Sequence, residues 1–137
     1  MKKALLSEII TSFLILLFVY SSFSKLLDFA AFQRAMHSQP FPTWLASLLT
    51  WLIPSLELIV VVLLLLKSTR LAGLSAFLVL MIFFTGYILA ILLGLFNTVP
   101  CSCGGIIQSL SWGQHLVFNL IFIAMAFFDI KLWNDLS

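Results

Sequence analysis

"ELIVVVLLLLKSTRLAGLSAFLVLM", Glu57 to Met81, is two long apolar runs joined by the four polar residues Lys67, Ser68, Thr69 and Arg70. Each run is too long and too evenly apolar for a strand. A connection that short forces two helices to lie side by side and antiparallel. Outward from this stretch the apolar pattern continues back to Trp44 and forward to Phe96. Each half therefore reaches the roughly 20 residues that a helix needs to cross a bilayer. Composition agrees: 63% of the 137 residues are hydrophobic and 9% charged, whereas a soluble domain carries about 25% charged residues. The chain reads as an integral membrane protein with little length left for a soluble domain.

Two further runs qualify as spans, giving helices over about residues 5–27, 44–66, 71–96 and 112–131. The expected architecture is a single all-α domain, a four-helix transmembrane bundle in the lipid bilayer. "MKK" before an apolar run resembles a signal peptide, but the run exceeds the usual h-region and no small-x-small site closes it, so it reads as a retained helix. Lys2, Lys3, Lys67, Arg70 and Lys131 fall on one side of such a bundle and only Lys25 and Arg34 on the other. This bias predicts cytoplasmic termini, with the 28–43 connection and the last interhelical loop on the periplasmic or exterior face of a bacterial inner membrane. The 28–43 connection, with Pro40 and Pro42, fits an interfacial loop holding a short amphipathic turn. Trp44, Trp112 and Trp133 fit interfacial anchoring, and Trp51, set deeper, fits packing.

That last loop, "NTVPCSCGGIIQ" from Asn97 to Gln108, holds the chain's whole thiol inventory, Cys101 and Cys103. Outside the cytoplasm disulfides form and persist. A bridge across so short a spacing removes little unfolded-chain entropy, and its ring strain eases reduction, so exchange suits these residues better than stapling. Pro100 fixes the backbone before the pair, while Gly104 and Gly105 permit a sharp turn and close approach by another chain. His115, in the first turn of the last helix, is placed to exchange a proton or hydrogen-bond a ligand. Blander readings stand beside these: two small reduced cysteines, a soft-metal site of Cys101, Cys103 and His115, or an interfacial His115 bonded to Asn119.

Ionisable groups inside a span are costly and mark function by default. Glu57 lies 13 residues after Trp44 and 10 before Lys67, hence near mid-membrane, and follows Pro54 by three. Lys25 closes the first helix on a stripe with Ser21, within reach of Asp28. If Lys25 marks the outer boundary, helical rise puts Glu57 roughly 15–20 Å below it. Only a shorter, bent second helix joins the two. Thr85, Tyr87 and Asn119 are the other expected partners of the carboxyl, and a purely structural hydrogen bond is an alternative role for it.

The combination of "SSFSKLLDFAAFQRAM", "PSLELIVVVLLLL" and "PCSCGG", in this order, resembles the MauE/DoxX family of redox-associated membrane proteins. The resemblance covers nearly the whole chain. It implies a four-helix membrane bundle whose MauE-like branch supports disulfide formation during maturation of a periplasmic enzyme subunit, beside a thioredoxin-like partner. It aligns Cys101 and Cys103 with the family's thiol pair, Lys25 with its first-helix lysine and Glu57 with its second-helix glutamate. The family pattern often carries an aromatic residue after the second cysteine, where this chain has Gly104.

The function expected is thiol–disulfide exchange through Cys101 and Cys103 with a periplasmic thioredoxin-like protein or thiol client. Lys25, Glu57, His115 and Asn119 are the candidate supporting or ligand-binding residues. By analogy with disulfide-generating membrane bundles, a membrane quinone held among aromatic side chains is the candidate electron acceptor, although no diagnostic quinone motif is present. Two alternatives remain: a non-catalytic membrane subunit or assembly factor of a redox complex, and a small transporter or metal-handling protein built on Glu57. Phosphate-loop, Ser/His/Asp and nucleic-acid-binding signatures do not occur in the sequence.

Overall fold

The computed structural model describes residues 2–95 and 111–136. They form five α-helices and one 3-10 turn: α1 (Lys2–Leu27), α2 (Phe29–His37), α3 (Thr43–Leu65), the turn Lys67–Thr69, α4 (Arg70–Leu92) and α5 (Trp112–Leu136). Four of the helices are long and apolar enough to cross a membrane. They pack in a ring, α1 on α3, α3 on α4, α4 on α5 and α5 back on α1, with α2 laid against α3 and α1. This is the four-helix transmembrane bundle that hydropathy predicts.

The buried face of α1 runs Ser7, Thr11, Leu14, Phe18, Ser21 and Lys25. Alternate steps of four and three are the seam of a left-handed bundle, in which each residue inserts between residues of its neighbours. The middle of the seam is apolar and its two ends are polar. Leu14 and Phe18 meet Val60, Val61 and Leu64 of α3, Leu74, Phe77 and Met81 of α4, and Ala126 and Leu132 of α5 in one core. The Phe18 and Phe77 rings lie 4.4 Å apart. The outward faces carry exposed Leu, Ile, Val and Phe along all four long helices, as a bundle solvated by lipid requires.

Local chemistry fixes the helix ends. The last carbonyls of α3 are taken by the following turn, as the Thr69 hydroxyl donates to Leu63 O at 2.9 Å and Arg70 Nε to Leu64 O at 2.9 Å. Just beyond, Gly73 lets α4 approach α3 so closely that a Cβ there would stand 2.9 Å from the Leu64 backbone nitrogen. α4 stops at Leu92, short of the expected Phe96, because Gly94 adopts φ 73° and closes the helix. Gly94 N donates to Ile91 O and Leu95 N to Ala90 O, the paired bonds of a Schellman cap. At the start of α5, Gln114 N donates to Ser111 Oγ at 3.1 Å and Ser111 N to Gln114 Oε1 at 3.0 Å. This reciprocal capping box sets the first turn at Trp112. The helix then runs to Leu136, five residues past the expected 131.

The 28–43 connection is more ordered than a short turn. Asp28 accepts a hydrogen bond from Ala31 N at 3.2 Å and starts the nine-residue helix α2. α2 buries Phe32, Ala35 and Met36 on one side. Trp51, expected to pack inside, is 66% exposed on α3, with its ring 4.6 Å from Phe29 at the start of α2.

Candidate functional site: a polar cluster at membrane depth and its cavity

Ser21, Ser22 and Lys25 project from the polar end of the α1 seam onto α3 at Pro54 and Glu57. Lys25 Nζ lies 3.1 Å from Glu57 Oε1 and 3.3 Å from Oε2. Ser21 Oγ donates to Glu57 Oε2 at 2.8 Å and accepts from Lys25 Nζ. Ser22 Oγ donates to the Pro54 carbonyl at 3.1 Å. Lys25 and Glu57 are both buried, and the Phe32 ring of α2 covers the ammonium with its centroid 5.6 Å away.

The pairing corrects the expectation that Lys25 marks the outer boundary, well above Glu57. The Ser22 to Pro54 bond sets the level of the two helices. From there α3 continues eleven residues to Thr43, about 16 Å of rise, whereas α1 continues only five to Leu27, about 8 Å. α1 therefore ends below the top of α3, and α2 fills the space above it. Lys25 sits inside the bundle, one turn above Ser21, and its chain folds back to the carboxylate. Asp28, the alternative partner at i+3, is exposed and serves as the α2 cap.

The other expected partners of Glu57 are engaged elsewhere or unengaged. Tyr87 Oη donates to Gln39 Oε1. The Thr85 hydroxyl is buried without a hydrogen-bond partner among the described residues. Asn119 is 3% exposed, and no hydrogen bond joins its amide to a described residue. His115 does not bond Asn119; its Nδ1 is buried without a partner, and its ring stacks on Trp112 at 6.2 Å between centroids.

Ser21, Lys25, Gln39, Glu57, Tyr87, His115 and Asn119 all line one cavity of about 400 Å³. Its walls come from the second half of α1, the first half of α3, the second half of α4 and the first half of α5, with α2 and the following segment as a cover. Ser21, Lys25 and Glu57 line one side, Gln39 and Tyr87 another, and His115 and Asn119 a third; the remaining lining is aliphatic and aromatic. The cavity thus occupies the half of the bundle whose end carries Leu95 and Ser111. Of the sequence-derived candidates, Lys25, Glu57, His115 and Asn119 all meet here. Cys101 and Cys103 lie outside the described residues.

A second polar cluster at the opposite end escaped the sequence reading. Asp129 of α5 is completely buried and accepts hydrogen bonds from Ser7 Oγ at 2.6 Å and from Thr11 Oγ1. Beside it Arg70 is buried, donates to Glu8 Oε1 at 2.6 Å, and places its guanidinium 5.1 Å from the Trp133 ring centroid. With the span expected to end at about residue 131, Asp129 near its margin reads as a flank. The signals that reveal it are Ser7 and Thr11 on the same seam as Leu14 and Phe18, and Asp129 three residues from each of Ala126 and Leu132 on the buried face of α5.

No curated protein and no solved structure matches the chain. The family model described as methylamine utilisation protein MauE does match, over residues 3–132, nearly the full length over which the bundle and its polar cluster extend. The chain belongs to the MauE family of membrane proteins.

Proposed function

We propose that this protein is a thiol–disulfide exchange protein of a bacterial inner membrane, with both termini in the cytoplasm and Cys101 and Cys103 on the periplasmic side. The observation that carries the reading is that the helix that follows the thiol segment in the sequence begins at the cavity. Cys101 follows Leu95 by six residues and Cys103 precedes Trp112 by nine, and Trp112 and His115 line the cavity. Family membership and the Lys and Arg bias add to it.

In the reaction a thiolate of a reduced client, or of a thioredoxin-like partner, attacks one sulfur of the Cys101–Cys103 disulfide. The S–S bond breaks and a mixed disulfide forms. The client's second thiolate then displaces the loop cysteine, so the client leaves oxidised and the loop pair holds two electrons and two protons. A lipid-soluble quinone is the class of acceptor that restores the disulfide, becoming the quinol. Lys25 and Glu57 fix the cavity side of α1 and α3 during this cycle. Because Glu57 is already neutralised by Lys25, the pair favours this reading over a cation transporter built on a lone carboxylate.

Trapping tests the exchange. Cys101→Ser or Cys103→Ser is expected to accumulate a reductant-sensitive adduct with a periplasmic thiol protein. No adduct from either variant, together with normal client oxidation, overturns the reading. Labelling intact cells with a membrane-impermeant maleimide tests the orientation: labelling after reduction places the loop outside, and labelling only after lysis places it in the cytoplasm.

A further inference from the structure

We infer that the cavity between the Lys25–Glu57 pair and the Asn119–His115 face is a binding site for the ring of a neutral, lipid-soluble quinone. Its role as electron acceptor rests on the thiol-exchange reading, whereas occupancy of the cavity does not.

Size and access come first. About 400 Å³ falls in the range of small-molecule sites, which are mostly apolar with a few convergent polar groups. Two lining residues, Leu52 of α3 and Phe83 of α4, are themselves 39% and 71% exposed. Among the described residues, the α3–α4 side of the cavity is thus lined by apolar side chains that are not sealed inside the bundle.

Charge then selects a neutral ligand. Lys25 and Glu57 neutralise each other at 3.1 Å. An anion would have to compete with Glu57 for the ammonium, and a cation with Lys25 for the carboxylate, in a setting where an unpaired buried charge is costly.

The last selection is by hydrogen bonding. The Nδ1 of His115 is buried without a partner among the described residues, and the amide of Asn119, 3% exposed, lines the same cavity. They lie at i and i+4 and so share one face of α5. An acyl chain would fill the apolar volume and leave His115 Nδ1 unsatisfied, a loss of the kind that buried polar atoms avoid. A quinone offers an acceptor to the Asn119 amide or to a His115 Nδ1–H when oxidised, and a donor when reduced. Its carbonyl oxygen accepts from the Asn119 amide. The hydroxyl of the quinol donates to the Asn119 carbonyl or to an unprotonated His115 Nδ1. The aromatic side chains Phe84, Trp112 and Phe118 on the wall suit a planar ring.

The test uses the full chain in lipid nanodiscs, with decylubiquinone as probe and tryptophan fluorescence as readout, since Trp112 lines the site. Saturable quenching is expected, weakened about tenfold by Asn119→Leu, the equivalent of one net hydrogen bond of about 1.4 kcal/mol. On the unaltered protein, decylbenzene, which has the tail and a ring but no oxygens, should not displace the quinone at matched concentration. Equal, unsaturated quenching of the unaltered protein and Asn119→Leu overturns the inference, as does displacement by decylbenzene. The Cys101→Ser/Cys103→Ser double variant should bind decylubiquinone as the unaltered chain does. Quinone binding by the unaltered chain, together with no adduct from Cys101→Ser or Cys103→Ser and client oxidation undiminished by the double variant, would overturn the exchange reading and leave the site standing.

Discussion

Lys25 and Glu57 each have a charge that the membrane interior would expel, and each is held in place by the other at 3.1 Å with Ser21 between them. The net value of such a pair is small, because desolvation cancels much of the attraction, but removing one partner strands the other. Lys25→Met should therefore destabilise the bundle by about 3–5 kcal/mol. The double variant Lys25→Met/Glu57→Leu should recover most of that loss. Unfolding in detergent by denaturant titration measures both, and a double variant as unstable as the sum of its singles would show that the two side chains do not act as a pair. Asp129 poses a different case: Ser7 and Thr11 both donate to it. Asp129→Leu should cost about 1–3 kcal/mol through two stranded hydroxyls, and Asp129→Asn less, since its carboxamide oxygen still accepts one bond.

Gly73 and Gly86 make opposite predictions for one substitution within one helix. A Cβ at Gly73 meets the backbone of α3 at 2.9–3.0 Å, whereas at Gly86 nothing lies within 4 Å. Gly73→Ala should destabilise by about 1–3 kcal/mol through overpacking. Gly86→Ala should stabilise by up to about 1 kcal/mol, the usual gain over glycine in a helix. Parallel melts of the two variants, with helicity followed by circular dichroism, check the contrast. The existence and order of the four long helices were legible in the sequence because each is a continuous apolar run broken by charges. Their ends were less so. The end of α4 depends on Gly94 taking positive φ, and apolar Leu95 and Phe96 beyond it carry no stop signal in hydropathy. The relative levels of α1 and α3 were illegible for a related reason. Hydropathy measures where each helix leaves the membrane core, but the Ser22–Pro54 contact and the cover provided by α2 decide how the helices align, and these are tertiary facts. Glu57, His115 and Asn119 were legible as polar intrusions in apolar runs, whereas Asp129 lay at the margin of its run, where composition does not separate a flank from a core position.

The molecule is built as an apolar middle with a polar cluster at each end, and the ends differ in what they leave unsatisfied. At the end carrying Lys67 and Arg70, every polar group of the Asp129 cluster named above has a partner, and the helices close tightly at Gly73. At the other end, α1 stops short, α2 roofs the gap, and a cavity remains, lined by Asn119 and by His115, whose Nδ1 has no partner among the described residues. One end is therefore closed by paired polar groups and tight helix contact, while the other encloses a cavity. Thr11 and Ser21 are separated by ten residues of α1, about 15 Å of rise, with Leu14, Phe18 and Phe77 filling the space between. Sites that far apart without shared partners add within about 0.5 kcal/mol. Combining Lys25→Met with Asp129→Asn should give the sum of the two single losses in unfolding free energy. Decylubiquinone affinity should respond to Lys25→Met and not to Asp129→Asn. A coupling above about 1 kcal/mol, or quinone binding weakened as much by Asp129→Asn as by Lys25→Met, would mean that the two clusters work as a single network through the core.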